Sequence, residues 1–421
     1  MKKLLMVLCA VMLAAGTTAA FAGCGGGSKE FKVGVLYITG QNDTSGYTYA
    51  HHQGVLAMKS SLGLKDSQLV IKDNVKDDDP TAINRAIGDL IAEGCNMIIG
   101  TSFGYFDEIK EAALENPEII FSHGTGELDT FGADEPGNMN NYFGRIYQAR
   151  YLAGIVAGSE ASVGANIGYV AAHGHYIAEC SSGVNAFTLG VQAVNPGATV
   201  YVKTLGAWFE LTNEKTFAEN LIGYPYNCEI ITQHCDTNGP SKAAQEKGKK
   251  SIGYNSDMAL ALGGTERDAS VLTSVTWNWG VYYTEAVSKA MECFDGAKYV
   301  SAGPWKAWGN YYAGYKEGLF GLAPLSTSVS AATAAKLELV KAEMLKGTAD
   351  WDVFSDKILK FNAVNGFADQ FTLEIADRAE ALKTSDGTAV TLTGGRVTDY
   401  EIKFNMPFWI KGVVDVTGAA A

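Results

Sequence analysis

The amino-acid sequence predicts an α/β protein with two similar lobes, each built on a doubly wound parallel β-sheet with helices on both faces. The first observation is an alternation of short apolar strands with longer helices from residue 32 to residue 122. The second is that this alternation restarts after Arg150 and continues to residue 276. Buried apolar strands separated by helices are typical of parallel sheets. A change of pattern after Trp351 predicts a β-rich C-terminal extension.

The first series contains four strands and three helices. Its first strand is almost continuously apolar, and its second helix begins directly after Pro80, a residue favoured in the first turn of a helix. In chain order the predicted elements are a strand at 32–38, a helix at 46–61, a strand at 68–72, a helix at 81–93, a strand at 97–99, a helix at 105–114 and a strand at 118–122.

The second series is longer and is followed by a segment of different character. It comprises a helix ending near 161, a strand at 167–171, a helix at 178–194, a strand at 199–203, a helix at 214–221, a strand at 229–232, a helix at 241–247 and strands at 250–253 and 271–276. An amphipathic helix is predicted at 331–346, and later Asn-Gly, Asp-Gly and Gly-Gly pairs favour hairpins. The predicted organisation is a signal peptide (1–23), a lipidated tether (24–30), lobe 1 (31–145 with 277–324), lobe 2 (146–276 with part of 325–350) and the extension (351–421).

The N-terminal residues predict export. Two lysines precede an uncharged apolar run at 4–16, which is typical of a secretory signal peptide and short for a permanent membrane span. The run FAGC at 21–24 resembles a lipobox, in which Cys24 becomes the lipidated first residue, although Phe21 departs from the usual leucine. Cleavage after residues 20–22, giving a free soluble protein, is the alternative. A flexible GGGS tether follows Cys24, so we expect lipid anchoring to the outer face of the cell membrane.

Composition and charge narrow the classes of partner. With 47% hydrophobic residues in 421, the chain has enough apolar material for large cores. The formal net charge of -13 argues against a nucleic-acid partner or an anionic-lipid surface. Beyond Cys9 and Cys24 five cysteines remain, which cannot all pair and are predicted to be buried, reduced thiols. They are Cys95, Cys180, Cys228, Cys235 and Cys293.

The residues that follow the predicted strands indicate the ligand chemistry, because ligands of open parallel sheets lie beyond the carboxyl ends of the strands. These loops are rich in aromatic, amide, His and Asp side chains and almost free of Lys and Arg. They suit a flat ring held between aromatic faces and contacted by neutral donors and carboxylates, and they do not suit a phosphate. The loops lie at 39–51, 100–105, 123–126, 171–175, 207–209, 233–236, 254–258 and 277–280.

Six segments resemble the basic membrane protein family of ABC-transporter substrate-binding lipoproteins, which includes purine nucleoside receptors. The resemblance runs from the lipobox to about Pro324. It is carried by GYTYAH at 46–51, TSFGY at 101–105, HGTG at 123–126, NYFGR at 141–145, TQHCD at 232–236 and SDM at 256–258. It implies a type I periplasmic-binding-protein fold with two lobes, three hinge crossings and a ligand cleft. It also implies a small-molecule purine ligand and ABC permease subunits as partners, without a cofactor or enzymatic activity.

The resemblance also implies roles for individual residues. A purine would stack between Tyr47 of the first lobe and Trp208 of the second. Asp257 falls where nucleoside receptors carry a ribose-binding carboxylate, and a helix cap is the alternative. Trp277 aligns with a lysine of those receptors, and its bulky ring with one N–H favours a free base such as adenine over a nucleoside. Packing at the hinge is the alternative for Trp277. The remaining predicted ligand contacts are Asp43, Ser102, Tyr105, His123 and His234.

Two other functions stay open. The run GTSFG at 100–104 matches G-x-S-x-G between a strand and a helix, which is the context of a nucleophile elbow. A lipid-anchored serine hydrolase using Ser102 is therefore one alternative, and a receptor that signals without transport is another. No metal site is predicted, because the pair His173 and His175 lacks a second paired cluster and the acidic run at 77–79 lacks the rest of an EF-hand.

Overall fold

A computed structural model gives the structure of the protein over residues 30–125, 136–263 and 266–418. The predicted signal peptide, Cys24 and most of the tether lie outside these residues. The first part of lobe 1 consists of β1 (Val33–Leu36), α1 (Gly46–Leu62), β2 (Leu69–Lys72), α2 (Pro80–Ala92), β3 (Met97–Gly100), α3 (Phe106–Glu115), β4 (Ile120–Gly124) and β5 (Met139–Gly144).

The chain then enters the second lobe. Its elements are α4 (Tyr147–Glu160), β6 (Asn166–Ala171), α5 (Ala178–Val194), β7 (Thr199–Thr204), α6 (Leu211–Ile222), β8 (Ile230–His234), α7 (Gly239–Glu246), β9 (Lys250–Asn255), α8 (Met258–Gly263) and β10 (Val271–Trp277). The remaining elements are α9 (Trp279–Met291), β11 (Phe294–Asp295), β12 (Lys298–Tyr299), α10 (Gly303–Trp308), β13 (Tyr311–Ala313), β14 (Phe320–Leu322), α11 (Ala331–Met344), β15 (Lys357–Ala363), β16 (Phe371–Asp377), α12 (Asp399–Phe404) and β17 (Val413–Asp415).

The sheet of lobe 1 has six strands in the order β13-β5-β4-β3-β1-β2, and every neighbouring pair is parallel. Strands β1 and β3 are buried along their whole length, which explains their continuous apolar character. The chain completes this lobe after returning from lobe 2, since β13 pairs with β5 and α9 packs on α1.

The sheet of lobe 2 has seven strands in the order β14-β10-β9-β8-β6-β7-β17, and β14 is antiparallel to β10. The chain crosses between the lobes after β5, after β10 and between β13 and β14. The sequence assigned residues 277–324 to lobe 1. Because β14 pairs with β10 in the lobe 2 sheet, the lobe 1 segment in the structure ends before Phe320, and Trp277 is the last residue of a lobe 2 strand. A strand of three residues is too short to give a periodic sequence signal.

The extension packs on lobe 2 and reaches the hinge. Helix α11 packs on α4, and β15 and β16 form an antiparallel hairpin whose turn contains Gly366 with a positive φ. Strand β17 adds to the edge of the lobe 2 sheet beside β7. Helix α12 lies at the first hinge crossing, where Asp399 forms a bidentate ion pair with Arg145 (Nη2–Oδ2 2.6 Å, Nε–Oδ1 3.1 Å). The extension therefore connects lobe 2 with the hinge.

The five cysteines of the described ranges are buried and form no disulfide. Burial raises the pKa of the Cys95 and Cys228 thiols to about 12, so both stay protonated and unreactive at neutral pH. Within the same ranges, no helix is long and apolar enough to cross a membrane.

Candidate functional site

A cleft between the lobes encloses a small space that we call the core. Both lobes supply its walls. From lobe 1 come Ile38, Tyr47, Asp77, Ser102, Phe103 and Thr125, and from lobe 2 come Glu179, Trp208, Asp236 and Tyr254. The core has a volume of about 40 Å³. The Gly46 backbone N–H of lobe 1 donates to Ser256 Oγ of lobe 2 at 3.0 Å, so the structure corresponds to a closed arrangement.

Two larger cavities adjoin the core. The outer mouth, of about 990 Å³, is bordered by the loop after β1, including Asp43, and shares Tyr47, Asp77 and Asp236 with the core. The inner compartment, of about 490 Å³, extends toward the hinge and the extension and shares Phe103, Glu179 and Trp208 with the core. The core is thus the narrow middle of a longer cleft.

The lobe 1 wall is held by hydrogen bonds of its loops. Tyr47 is the second residue of α1, and its hydroxyl donates to the Thr101 carbonyl at 2.6 Å. Its ring meets the His51 ring edge-on at 4.4 Å between centroids. The Ser102 hydroxyl donates to the Asp77 carboxylate at 2.5 Å, which joins the loops after β3 and β2. These contacts fix one aromatic face and one carboxylate toward the core.

The lobe 2 wall is ordered by aromatic packing and a buried arginine. The Trp208 ring packs edge-on against His173, with centroids 4.9 Å apart. The Tyr254 hydroxyl accepts from Trp277 Nε1 at 3.3 Å, and the Arg150 guanidinium lies 3.7 Å from the centre of the Tyr254 ring. Arg150 is fully buried and donates to the Gln233 carbonyl at 2.6 Å. Its positive charge lies behind the wall rather than in it.

Burial sets the protonation of the two lobe 2 carboxyl groups. It raises the pKa of Glu179 to about 7, and the nearby charge of Arg150 partly opposes this shift. It also raises the pKa of Asp236 well above its usual range, although a hydrogen bond from Asn255 at 2.9 Å favours the charged form. About 20% of the Glu179 side chain remains exposed, which leaves oxygen available to a ligand.

The two predicted histidines lie behind the core rather than in its lining. Burial lowers the pKa of His234 well below its usual value, so the contact between His234 Nε2 and Glu179 Oε1 at 3.3 Å is a hydrogen bond of a neutral ring. His123 is also fully buried, and its Nε2 lies 3.2 Å from the Phe103 carbonyl. Each histidine orients a residue of the wall.

The structure brings Tyr47, Ser102 and Trp208 together at the core and places Asp43 at the outer mouth. Tyr105 is instead fully buried beneath the loop, where its hydroxyl donates to the Val75 carbonyl. It supports the fold of the loop and does not face the ligand space.

Asp257 and Trp277 require correction of the roles expected from the sequence. Both Asp257 oxygens are engaged, because the carboxylate forms an ion pair with Arg267 and accepts from the Ala259 backbone N–H at 3.2 Å. It caps α8 and lies outside the lining of the core. Trp277 stacks on Trp279 at 4.2 Å between centroids and is 7% exposed, so it packs at the hinge.

Several lining residues were not among the predicted contacts. Asp236 and Tyr254 lie in segments directly after predicted strands, where ligand contacts were expected. The sequence alone does not show which residues of such a segment face the ligand. Glu179 lies in the first turn of α5, beyond the loop itself, and Asp77 follows the partly exposed strand β2. Phe103 is half-exposed and lies within the segment TSFGY at 101–105, from which Ser102 and Tyr105 were chosen instead.

The hydrolase alternative lacks its geometry in the described residues. Ser102 Oγ bonds to Asp77 and to the Gly104 N–H, whereas the His123 ring nitrogens meet the Phe103 carbonyl and the Asn141 amide. In the hydrogen bonds of the described ranges, no histidine contacts the serine oxygen, so the Ser–His pair of a nucleophile elbow is not formed there. Nor do these ranges contain a group of three or more His, Cys, Asp or Glu side chains able to hold a metal.

Comparison with known proteins decides the family. The Bmp family of PnrA-like ABC transporter substrate-binding proteins matches residues 31–303. The chain belongs to the Bmp family. A purine-binding protein of Brucella abortus is 33% identical to this Bmp protein over 300 residues, which are 71% of this chain and 76% of the relative. A protein of Haloferax volcanii, provisionally named an ABC transporter glucose-binding protein, is 31% identical over 296 residues, 69% of this chain and 68% of the relative.

Solved structures confirm the predicted fold class of the Bmp protein. An ABC solute-binding protein of Conexibacter woesei has a TM-score of 0.58 at 19% identity and covers 75% of this chain and 97% of its own. One from Aeropyrum pernix has a TM-score of 0.58 at 15% identity and covers 80% and 94%. At these identities the likeness shows the type I periplasmic-binding fold alone. The family match ends at residue 303, so the extension lies beyond it.

Proposed function

We propose that this Bmp protein captures a purine in the core and presents the closed form to the permease subunits of an ABC importer. The observation that carries the proposal is the pairing of aromatic faces from both lobes with largely buried carboxyl groups, without a basic side chain in the described lining. Purine rings stack on aromatic faces, and their N–H groups donate to carboxylates. The purine ligand named for the Brucella relative supports the same ligand class.

In this proposal the aromatic residues of the two walls stack on the purine ring, and the carboxyl groups form polar contacts with its edge. Tyr47 and Trp208 stack on the two faces of the ring. Glu179 and Asp236 contact its N–H groups at the edge, held by His234 and Asn255 respectively. Among the described residues, neither carboxyl group has a lysine or arginine at hydrogen-bond distance, so a ligand donor finds an available acceptor.

We further propose that a free base such as adenine binds more tightly than its nucleoside. The sequence suggested this preference through a tryptophan in place of a sugar-binding lysine, and in the structure Trp277 acts indirectly, through its hydrogen bond to Tyr254. The consequence is unchanged, because the lining residues of the core that the structure describes include no lysine. Asp257, the other expected sugar contact, is engaged by Arg267. Sugar hydroxyls buried without partners cost about 1–3 kcal/mol each, which is enough to set the preference.

Capture requires closure of the two lobes on the ligand. The closed form already contains a polar contact between lobes, since the Gly46 backbone N–H donates to Ser256 Oγ at 3.0 Å. A ring in the core would add contacts to both walls at once. Such a ligand stabilises the closed form relative to the open one and shifts the population toward it.

Calorimetric titration of the purified protein with adenine, adenosine, guanine, guanosine and glucose tests the proposal. We expect adenine to bind, adenosine to bind more weakly and glucose not to bind. Tighter binding of the nucleosides would overturn the preference for the free base and leave the purine receptor intact. Binding of glucose without binding of any purine would overturn the purine assignment itself.

We propose that Cys24 carries a lipid that anchors the protein to the outer face of the cell membrane. The lipobox-like run and the glycine-rich tether support this proposal. Wild-type protein should partition into detergent, and Cys24→Ala should be unprocessed or released. Wild-type protein recovered from culture medium without lipid on Cys24 would contradict it.

A further inference from the structure

The inner compartment is a second, chemically distinct part of the cleft. It opens into the core through the residues that the two cavities share, which are Phe103, Glu179 and Trp208 together with Asp77 and Thr125. Its volume of about 490 Å³ is ample for a further ring or chain attached to a ligand held in the core. Because the two spaces are continuous, one molecule can occupy both, with a purine in the core and a substituent of that purine in the inner compartment.

The extension builds one wall of this compartment. Helix α12 contributes Ile402, Lys403 and Phe404 to the lining. The helix is fixed in place by a capping box between Thr398 and Glu401 and by the ion pair of Asp399 with Arg145. These residues follow the region matched by the Bmp family, so this wall is a feature of the segment that the family does not cover.

The other walls are mostly carbon. The hinge contributes Phe143 and Ile146, lobe 2 contributes Ile177, and α12 adds Ile402 and Phe404. Two hydroxyls of the lining are already engaged, since Tyr147 donates to Asp352 at 3.2 Å and Ser182 donates to the Glu179 carbonyl at 3.1 Å. A sugar placed here would leave hydroxyl groups without partners, which is unfavourable in a largely enclosed space.

The charged residues that line the inner compartment also limit which ligand groups can bind there. Asp77, Asp78 and Glu179 line the entrance to the compartment from the core side. The basic residues of the described lining are Lys403 and His173, and burial lowers the pKa of His173. The Lys403 ammonium lies over the rings of Tyr312 and Phe404, at 4.9 Å and 4.7 Å from their centres. Three carboxyl groups against one lysine disfavour a phosphate. A neutral, apolar substituent fits both the walls and the charges.

We propose that the inner compartment binds an apolar substituent carried by the purine ring, and that Phe404 of the extension determines this specificity. The ligand class is then purine bases with an apolar group on a ring or exocyclic nitrogen. This inference rests on the proposed capture of a purine in the core. It adds a specificity that the core alone does not provide.

The test compares adenine, N6-benzyladenine and adenosine by calorimetry with the full chain. Burial of the benzyl group should make N6-benzyladenine bind about tenfold more tightly than adenine. Phe404→Ala should remove most of this difference, because it deletes the ring that contacts the substituent. Phe367→Ala is the matched control: it is the same substitution in the same extension, on a side chain that is 52% exposed and outside the compartment. It should leave the ratio of the two affinities unchanged.

A second variant keeps the test valid if Phe404→Ala fails to fold. Phe404→Leu keeps an apolar side chain at this position and removes the aromatic ring, so it should also reduce the advantage of the benzyl compound. If adenine binds and N6-benzyladenine binds more weakly in the wild type, the inference is overturned while the proposed function stands. If adenosine binds most tightly, the compartment takes a sugar and the inference is likewise overturned. If none of the three binds, the proposed function fails with it.

Discussion

The carboxyl groups of Glu179 and Asp236 differ in how far each can respond to pH. Burial raises the pKa of Asp236 well above its usual range, and the nearby carboxyl groups of Glu214, Glu179 and Asp77 add to this shift. Glu179 faces the neutral ring of His234 and feels the charge of Arg150, and its pKa of about 7 places its titration at physiological pH. Ligand binding at neutral pH should therefore be coupled to the protonation of Glu179.

This coupling gives a signed prediction. A ligand N–H stabilises the Glu179 carboxylate, so purine affinity should rise about tenfold between pH 6 and pH 8. Glu179→Gln should flatten the profile. The stability of the free protein has the opposite sign: the folded pKa is raised, so the free energy of unfolding falls as pH rises from about 4.5 through 7.

Calorimetry across pH, in buffers of different ionisation enthalpy, measures both the affinity and the proton release. Asp352 also has a pKa raised by burial, to about 6, and it lies behind Tyr147. The comparison with Glu179→Gln separates the two groups. An unchanged pH profile in Glu179→Gln would assign the coupling elsewhere.

Stacking at the core gives a second prediction at this scale. Tyr47→Ala and Trp208→Ala should each weaken purine binding by about 1–3 kcal/mol, the usual value for a lost base–aromatic stack. Tyr47→Phe is the control, because it keeps the ring and removes only the hydrogen bond to the Thr101 carbonyl. Calorimetry should show most of the affinity retained in Tyr47→Phe. Equal losses in the Phe and Ala variants would assign the effect to the hydroxyl.

Individual residues also show how much of the site could be predicted from the sequence. Tyr47, Ser102 and Trp208 were predicted and lie at the core, because residue type and position after a strand are visible in the sequence. It cannot be seen from the sequence that Asp257 forms an ion pair with Arg267, whereas about 20% of the Glu179 side chain stays exposed. Whether a carboxylate is available to a ligand depends on its tertiary partners. Arg267 lies ten residues from Asp257 in the sequence, and His234 lies fifty-five residues from Glu179.

At the scale of elements, prediction succeeded where an element has its own period. Strands β1 to β4 and β6 to β10 and helices α1, α2 and α5 lie close to the predicted ranges, whereas the six-residue strand β5 was not predicted. The short strands β13, β14 and β17 were missed, since each has three residues and pairs only because the chain returns to a sheet edge. Helix α12 was also missed, because its six residues are too few to show a helical period in the sequence. This helix forms one wall of the inner compartment.

The ion pair that holds α12 gives the prediction at this scale. Asp399→Ala leaves the partly buried Arg145 without its bidentate partner and should destabilise the protein by about 1–2 kcal/mol. Asp377→Ala is the control in the same extension, because its ion pair with Lys357 is exposed and screened by solvent, so its loss should change the stability little. Urea unfolding measures both variants. Equal effects would show that α12 is held mainly by packing.

At the scale of the whole molecule, closure depends on a close approach between the backbones of the two lobes. Gly46 begins α1 with φ +88°, and a Cβ at this position would lie 2.3 Å from the Asp236 carbonyl oxygen of lobe 2. No side chain fits such a gap, so the residue at position 46 controls how far the cleft can close. The same contact explains why a glycine precedes the stacking Tyr47.

Gly46→Ala should therefore impair closure rather than folding. The positive φ costs an alanine about 1–2 kcal/mol in any context. Gly63→Ala is the matched control, because Gly63 has φ +64° and a Cβ added there would meet no atom within 4 Å, so the variant bears the same type of strain in open space. Both variants should lose similar stability in urea, whereas only Gly46→Ala should lose purine affinity, by about tenfold or more, as its closed population falls. Small-angle scattering should show that ligand compacts the wild type and Gly63→Ala but not Gly46→Ala. Equal affinities in the two variants would mean that the ligand-bound form does not bring Gly46 against Asp236, and closure by this contact would be rejected.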